Sequence, residues 1–545
     1  MSAAVPPLRW WGWGDRDTDI PAGLAALLRS EIGVHPGARP GSVPPASVTM
    51  PGGTLASDDD LLTELRDICG TEAVRVDAES RCRHACGRSY LDLLELRSGM
   101  IASAPDAVVL PGSEAEIAAV LRACSRQGCA VVPFGGGTSV VGGVSAVRGV
   151  HRAVVTLSMR RLNRCLQLDP LSLTATLQAG MTGPEVEDAL AAHGLTLGHH
   201  PQSFEFATVG GFAATRSAGQ ASSGYGRFDD LVLGIRLLAP SGEIVVAAHP
   251  ASAAGPSIRE LVLGSEGRLG VITEVTVRVR RAPVQPRYEA WSLASFGEGV
   301  EAMRALAQGG IAPDVVRLSD REERRVGMAM APQGGARRSL GARYLRVRGH
   351  QHGCLLIVGW DSDALLAGAR QAEARALIRR HHGVALGASP GRSWRAQRYH
   401  GPYLRDALMD VGVLVETVET ATSWSHLLPL HASVVAALHH SLGDGYPPLV
   451  GGHVSHIYAS GASLYFTVLA NGAGDPGERW RAAKAAACAA ILDNGGTITH
   501  HHAVGTDHRA YVVREIGGEG IAALRALARQ LDPAGIMNPG KLLPD

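Results

Sequence analysis

The stretch Pro133-Phe-Gly-Gly-Gly-Thr-Ser-Val-Val-Gly-Gly143 directly follows a short apolar run, residues 130–132, that predicts a β-strand. Consecutive glycines carry no Cβ, so their backbone N–H groups can crowd around an anion. Thr138 and Ser139 add hydroxyl donors. Val140 stands where a G-x-G-x-x-G fingerprint needs its last glycine, which excludes an ordinary dinucleotide loop. The stretch indicates a diphosphate-binding turn, although taken alone it could equally be a plain glycine turn.

Two more glycine-rich segments follow. The second, residues 200–219, holds glycines and short polar side chains spaced to line one ligand: Thr208, Gly210, Gly211, Thr215 and Ser217. The third, Gly264-Ser-Glu-Gly-Arg-Leu-Gly-Val-Ile272, leads into an alternating run that predicts a strand. Three segments of this kind at this spacing form a stronger signal than any one of them.

In this order, the three segments resemble the vanillyl-alcohol-oxidase type of FAD-binding flavoprotein. The resemblance implies FAD, with the first loop around the pyrophosphate and the others along the ribityl chain and the isoalloxazine. We predict non-covalent FAD, because no pattern around His199 and His200 demands a covalent link. The implied cofactor-binding residues are Pro133, Phe134, Gly135, Gly136, Gly137, Thr138, Ser139, Gln202, Ser203, Thr208, Gly210, Gly211, Thr215, Arg216, Ser217, Ala218, Gly264, Ser265, Glu266, Gly267, Gly270, Val271 and Ile272.

The periodicity around these segments predicts an α+β fold. Residues 104–284 alternate strands and helices and form a two-part FAD-binding domain. One of these helices is predicted to begin at the capping pair Ser113 and Glu116 and to end at Gly128. Residues 285–495 repeat strand, helix and strand, which predicts an antiparallel-sheet cap domain covered by helices and used for substrate. Residues 1–103 are an N-terminal extension with a tryptophan-rich start and a Pro/Gly linker. Residues 496–545 begin with a predicted strand, 496–500, and return to the FAD domain.

Composition excludes several function classes. The chain has 545 residues, of which 46% are apolar, and a formal net charge of +1, so a nucleic-acid partner is not expected. Lys484 and Lys541 are its only lysines, and neither lies in a P-loop pattern or a setting typical of a pyridoxal enzyme. No membrane-spanning helix or secretory signal is predicted, and the eight cysteines form no C-x-x-C pair. We therefore expect a cytoplasmic protein.

Other segments narrow the resemblance to the alkylglycerone-phosphate synthase family. They are Leu8-Arg-Trp-Trp-Gly-Trp-Gly14, Arg81-Cys-Arg-His-Ala-Cys-Gly87 and Pro201-Gln-Ser-Phe-Glu-Phe-Ala-Thr-Val-Gly-Gly211. The resemblance implies catalytic roles for Tyr465 and for His500, His501 and His502. It implies substrate binding by Arg405 and Arg317, and a homodimer.

Each of these residues also has a plain structural interpretation. Tyr465 lies in a strand-like run, where most tyrosines only pack. To act as a base it would need cationic neighbours or a hydrogen-bonding histidine, which arginines and the triple histidine could supply. His500 and His502 would share one face of a strand, and His508 could complete a zinc site, but no tight ligand pattern is present and we predict no metal. Arg405 is predicted to lie next to a strand-like segment, and it could simply pair with Asp406.

The implied reaction exchanges the acyl group of acyl-dihydroxyacetone phosphate for a fatty alcohol, by covalent catalysis on the flavin without net redox change. The alternative is an FAD-dependent oxidoreductase of a 2-hydroxy acid or related alcohol. A third interpretation is a flavin-binding or membrane-surface protein without catalysis. Either enzyme would take a small molecule with a phosphate or carboxylate head, a lipid in the first case.

Residues 321–348 stand apart because they carry eight arginines. One interpretation is a solvated loop. The other is a lid or a peripheral contact with an anionic membrane surface.

Overall fold

The computed structural model describes residues 8–14, 17–37, 47–331, 336–361 and 364–544. Its mixed sheets and helices confirm the predicted α+β class. The strands of the FAD-binding half are β1 (Val74–Arg75), β2 (Ala107–Val109), β3 (Cys129–Phe134), β4 (Ala153–Ser158), β5 (Cys165–Asp169), β6 (Thr174–Gln178), β7 (Leu195–Thr196), β8 (Val232–Ala239), β9 (Gly242–Val246), β10 (Val271–Arg278) and β11 (Arg280–Arg281). The strands of the cap sheet are β12 (Arg287–Leu293), β13 (Val315–Ser319), β14 (Cys354–Trp360), β15 (Val384–Gly387), β16 (Val413–Ser423), β17 (Leu449–Ile457) and β18 (Gly461–Asn471).

The helices connect and cover these sheets. In the first half they are α1 (Ala22–Glu31), α2 (Asp60–Cys69), α3 (Ala78–Arg83), α4 (Tyr90–Ser98), α5 (Glu114–Gln127), α6 (Gly183–Ala191), α7 (Val209–Thr215), α8 (Ser222–Tyr225), α9 (Phe228–Leu231) and α10 (Ile258–Val262). The others are α11 (Phe296–Gln308), α12 (Arg321–Met330), α13 (Ala336–Val347), α14 (Ala364–Arg380), α15 (Ser389–Gln397), α16 (Gly401–Asp410), α17 (Trp424–Leu442), α18 (Pro476–Asp493) and α19 (Val512–Leu531). No helix among the described residues is long and apolar enough to span a bilayer.

The FAD-binding half contains two main sheets. In the first, β2, β4 and β3 are parallel and β1 pairs antiparallel with β2; the second is antiparallel in the order β5-β6-β10-β8-β9. Apolar runs such as β4, buried at every position, form one core between them. The predicted capping pair opens α5, where the Ser113 hydroxyl accepts the Glu116 N–H, and Gly128 ends it at φ 62°.

The cap sheet is antiparallel throughout, in the order β15-β12-β14-β13-β17-β18-β16 among the described residues. Helix α17 shows why helices cover it. Leu427, Leu430, Val434, Leu438 and Leu442 recur at helical spacing, and all are buried in the same core as the sheet. The predicted strand-helix-strand pattern of this region is confirmed.

The N-terminal extension divides between the two halves. Helices α1 and α4 pack into the core of the cap, whereas α2 packs on α5 in the FAD-binding half. The predicted linker lies partly at 38–46, outside the described residues. The last segment returns to the first and third glycine-rich segments, because the Asn538 amide donates to the carbonyls of Gly143 (3.0 Å) and Glu266 (2.7 Å).

Three local predictions are wrong. Residues 496–500 form no strand, since the side-chain carboxylates of Glu515 and Glu419 accept the backbone N–H groups of Ile498 and His500. Arg405 lies on helix α16 rather than beside a strand. The described parts of 321–348 are helices α12 and α13 rather than a loop, and the Asp320 carboxylate caps α12 by accepting the Glu323 N–H.

Candidate active site

A cavity of about 500 Å³ lies between the FAD-binding half and the cap sheet. The first glycine turn forms part of its wall, through residues 135–139. Gly137 has φ +68°, and a Cβ on Gly136 would collide with the carbonyl oxygen of Phe206. The turn therefore needs glycine, and it leaves backbone open toward the cavity, as a diphosphate cradle requires.

The second glycine segment forms the adjoining wall. It opens helix α7, where the Thr208 hydroxyl accepts the Gly211 N–H at 3.4 Å. A helix N-terminus beside a glycine turn favours an anion. The predicted cofactor residues of this segment that line the cavity are Gln202, Ser203, Thr208, Gly211, Thr215, Ser217 and Ala218.

The third segment lies behind this wall. Glu266 is buried, and its carboxylate accepts the backbone N–H groups of Val504 (2.8 Å) and Gly505 (2.7 Å). Arg216 is occupied by ion pairs with Asp229 and Glu260. Direct contact with FAD stays a prediction for every one of the implied residues. Those outside the cavity lining are Pro133, Phe134, Gly210, Arg216, Gly264, Ser265, Glu266, Gly267, Gly270, Val271 and Ile272.

The cap sheet supplies the opposite wall. Register places His453 of β17, Tyr465 of β18 and Glu419 of β16 on one rung across three strands. The rings of His453 and Tyr465 stack with centroids 5.0 Å apart. Burial is the main cause that raises the pKa of Tyr465 to about 12. Tyr465 is thus a neutral phenol at neutral pH.

The histidine segment lies against this rung. His501 and His502 line the cavity with ring centroids 5.9 and 5.5 Å from that of Tyr465. His500 lies behind them, with its Nε2 2.6 Å from the Tyr458 hydroxyl. Burial lowers the pKa of all three imidazoles, that of His502 to about 3. Desolvation therefore favours the neutral form of these rings, which leaves them as hydrogen-bonding groups beside Tyr465.

Three imidazoles come close enough to hold a metal ion. Nitrogens of His456, His500 and His501 lie within 4.8 Å of one another, and the His456 Nδ1 is buried without a hydrogen-bond partner among the described residues. The suggested fourth ligand, His508, points elsewhere, with its Nδ1 2.9 Å from the carbonyl oxygen of Ala503. The absence of a metal stays a prediction.

Arg405 extends from α16 into the cavity. Its Nε is buried and has no hydrogen-bond partner among the described residues. The neighbouring Asp406 pairs instead with Arg97, at 3.2 Å, and accepts the Trp13 N–H. Arg405 therefore does not pair with Asp406, and its guanidinium can bind an anionic group in the cavity.

Arg317 also lines the cavity, but it is already paired. Its guanidinium donates to Glu323 at 2.7 Å and lies 2.9 Å from the His453 Nε2. Burial raises the pKa of Glu323, but Arg317 and His453 outweigh it and lower that pKa to about 2. Arg317 therefore presents a partly neutralised charge.

Apolar side chains form another part of the cavity lining, which we call the apolar arm. Its walls come from α1, α12, α16 and the cap strands, through Leu24, Val326, Met330, Leu408, Leu449 and Leu469. Such a lining suits a hydrocarbon chain and offers nothing to a small hydrophilic ligand.

Sequence reasoning missed the partners of the expected residues. His453, His456, Glu323 and Glu419 become neighbours of the site only through strand pairing and helix packing. The one sequence feature that could have pointed to any of these residues is the spacing His453-x-x-His456 in an apolar run.

Comparison with known proteins agrees with this architecture. The family described as "FAD binding domain" matches residues 105–248, and "FAD linked oxidases, C-terminal domain" matches residues 282–542. The alkyldihydroxyacetonephosphate synthase of Caenorhabditis elegans is 32% identical over 86% of this chain and 81% of its own. That of Trypanosoma brucei brucei is 31% identical over 88% and 80%.

The chain belongs to the alkyldihydroxyacetonephosphate synthase family. A solved structure of an alkyldihydroxyacetonephosphate synthase superposes with a TM-score of 0.84 at 26% identity, covering 98% of each chain. The chain is thus a member of an FAD-dependent enzyme family, as the glycine segments predicted. A dehydrogenase is more distant: the mitochondrial D-lactate dehydrogenase (cytochrome) of Arabidopsis thaliana is 27% identical over 81% of this chain and 74% of its own.

Proposed function

We propose that this protein is an FAD-dependent transferase that converts an acyl-dihydroxyacetone phosphate and a fatty alcohol into the alkyl ether and a free fatty acid. One observation carries the proposal. A single cavity joins a glycine cradle, a tyrosine–histidine cluster, the unpartnered Arg405 Nε and an apolar arm. A transferase of two long-chain substrates uses all four, whereas an oxidase of a short hydroxy acid has no use for the arm.

The glycine cradle and the α7 N-terminus fit a diphosphate, and these residues would hold FAD. When bound, FAD supplies the covalent catalyst of the exchange. Neither His199 nor His200 lines the cavity, which supports non-covalent attachment. Flavin released by acid precipitation would support this, and flavin retained in the pellet would contradict it.

The protein residues would bind the head group and move protons. Arg405 holds the phosphate, because a guanidinium can donate two parallel hydrogen bonds to it. Arg317 orients the ketone. Tyr465 starts as a neutral phenol, so it takes the C1 proton as it passes its own phenol proton to a neighbouring neutral imidazole. His501 and His502 are the neutral bases that face the incoming alcohol.

The decisive experiment supplies acyl-dihydroxyacetone phosphate and hexadecanol to the purified flavoprotein under anaerobic conditions. We expect the alkyl ether and one fatty acid per turnover, with the flavin spectrum restored after each cycle. In parallel, 2-hydroxy acids are added alone. Bleaching of the flavin by a hydroxy acid, without any ether product, would establish the oxidoreductase alternative instead.

The setting of the enzyme is also proposed from its chemistry and its resemblance. Both lipid substrates partition into membranes, and α12 contributes to the arm of the cavity through Val326 and Met330. A cytoplasmic homodimer that contacts an anionic membrane surface through 321–348 suits such substrates. Light scattering of the purified protein measures the oligomeric state, and a monomer would contradict the dimer.

A further inference from the structure

The triple-histidine segment wraps around one buried carboxylate. Glu419 of β16 is 2% exposed. Its oxygens accept the backbone N–H groups of His500 (2.7 Å), His501 (3.3 Å) and His502 (2.9 Å), and also the Thr499 hydroxyl. Three consecutive amides on one anion leave this stretch little freedom to move, although it belongs to no strand or helix.

The same glutamate is fixed relative to Tyr465. The two residues are direct partners in the β16–β18 register, so their side chains leave the sheet on one face. Neighbouring β16 residues anchor other parts: the Thr420 hydroxyl donates to the Thr497 carbonyl at 2.6 Å. Strand β16 thus fixes the positions of both groups that the proposed reaction uses: the Tyr465 phenol through strand pairing, and the imidazoles through side-chain hydrogen bonds.

Electrostatics keep this carboxylate ionised. Burial would raise the pKa of Glu419, but hydrogen bonds such as the one from the Thr499 hydroxyl hold it below its usual range. Donated backbone N–H groups likewise favour the charged form. The His501 Nδ1 also lies 3.4 Å from the carboxylate.

We propose that Glu419 is the positioning residue of the active site, holding residues 499–502 so that His501 and His502 face Tyr465 across the cavity. It does not itself line the cavity. Its role is to fix a loop whose own sequence has no regular structure. This inference rests on the proposed transfer reaction for its kinetic consequence but not for its structural one.

The test measures both consequences in Glu419→Gln. The amide keeps the shape but places an NH₂ against the backbone donors. We expect faster hydrogen–deuterium exchange in peptides covering 499–502, unchanged exchange in the FAD-binding half, and unchanged flavin content. We also expect kcat to fall by about 100-fold with little change in KM, as misplaced catalytic groups cause.

Glu289→Gln is the matched control. Glu289 is also a buried strand glutamate, bound by Gln371 and Arg375 at the far side of the cap sheet. We expect neither exchange near 499–502 nor kcat to change in this variant.

Glu419→Asp gives a second readout if the glutamine variant does not fold. Aspartate keeps the negative charge, but its side chain is one methylene shorter, so the carboxylate lies farther from the backbone N–H groups. We expect hydrogen–deuterium exchange at 499–502 and a kcat that are intermediate between those of the wild type and of Glu419→Gln. Wild-type exchange at 499–502 in both folded variants would overturn the proposal, whatever the activity. Absence of transfer activity in the wild type would overturn the proposed function only, because the exchange result stands by itself.

Discussion

A phenol buried among neutral imidazoles keeps its proton at neutral pH, and this decides how Tyr465 can act. With its pKa raised to about 12 by burial, Tyr465 carries a proton before turnover begins. Tyr465→Phe should therefore lower kcat by roughly 10²- to 10⁴-fold, the usual contribution of a positioned acid or base. Flavin absorbance should stay, since no contact with the glycine cradle changes. The transfer assay and a visible spectrum together check this.

Tyr288→Phe is the matched control, because the Tyr288 hydroxyl is also buried but lies outside the cavity lining. Wild-type activity in this variant would show that losing a buried hydroxyl is not in itself harmful. Substantial activity in Tyr465→Phe would remove Tyr465 from the mechanism.

The proposed phosphate-binding role of Arg405 is tested by replacing its planar guanidinium with another cation of a different shape. Arg405→Lys keeps the charge but loses the planar fork that grips a phosphate. A charge-assisted hydrogen bond contributes about 1.5–3 kcal/mol, so kcat/KM should fall by roughly 10- to 100-fold, mainly through KM. Steady-state kinetics on the phosphate substrate measures the loss. In Arg375→Lys, which changes an arginine paired to Glu289 outside the cavity, the kinetics should be unchanged.

At the scale of elements, the tryptophan-rich segment 8–14 holds helix α16 in place. Trp13 lines the cavity, and its backbone N–H donates to the Asp406 carboxylate. A Cβ on Gly12 would collide with the same carboxylate. Gly12→Ala should displace the start of α16 together with Arg405, which raises KM. Gly52→Ala, at a position with open space around the new Cβ, is the control. Equal KM values for the two variants would contradict this linkage.

The histidine segment should make the fold sensitive to acid. Burial lowers the pKa of His502 to about 3 and that of His508 to about 4, against 6.5 for a free histidine. Because the folded pKa values are depressed, the unfolded chain binds protons first, and stability falls as pH drops below 6.5. Each such group costs about 1.4 kcal/mol per pH unit until its folded pKa is reached. Melting temperatures at pH 7.5 and 5.0 should differ by several degrees.

His502→Asn serves as the control, because it removes one of these protonations. Its melting temperature should depend less on pH than that of the wild type. Equal melting temperatures at the two pH values in the wild type would contradict the neutral-histidine description.

At the scale of the whole molecule, α13 presents apolar and basic side chains together. Leu340, Tyr344 and Val347 are 67%, 50% and 79% exposed. Each arginine near an anionic surface contributes about 1 kcal/mol of attraction. We expect binding to phosphatidylserine vesicles that weakens in high salt, and weaker binding when Arg343, Arg346 and Arg348 are all changed to Gln. Vesicle sedimentation measures both effects.

The control changes three exposed arginines elsewhere, Arg29, Arg122 and Arg529, to Gln. An equal loss in both triple variants would indicate net charge rather than a docking face. No sedimentation of the wild type with any vesicle would contradict the membrane contact.

Local patterns were enough to predict most of the architecture. The alternation of β10 and the spacing of α17 follow from the burial of one face, and the capping pair Ser113 and Glu116 predicted the start of α5. Only glycine fits the first glycine-rich turn, so this turn could also be predicted from the sequence. Segment 496–500 was mispredicted because its amides bond to side chains distant in sequence rather than to a strand.

The sequence by itself determined the fold class and the first glycine turn, and it singled out Tyr465, Arg405 and His500–His502 as candidates, because glycine turns, periodicity and motif resemblance are local properties. Only the tertiary structure decided how those candidate residues are arranged. Strand register puts Tyr465 between His453 and Glu419, and burial keeps the imidazoles neutral. Glu419 contacts His500, which is 81 residues away in the sequence, and Arg317 contacts His453, which is 136 residues away. Contacts at that separation, and the desolvation that shifts each pKa, arise from packing and leave no local pattern in the sequence.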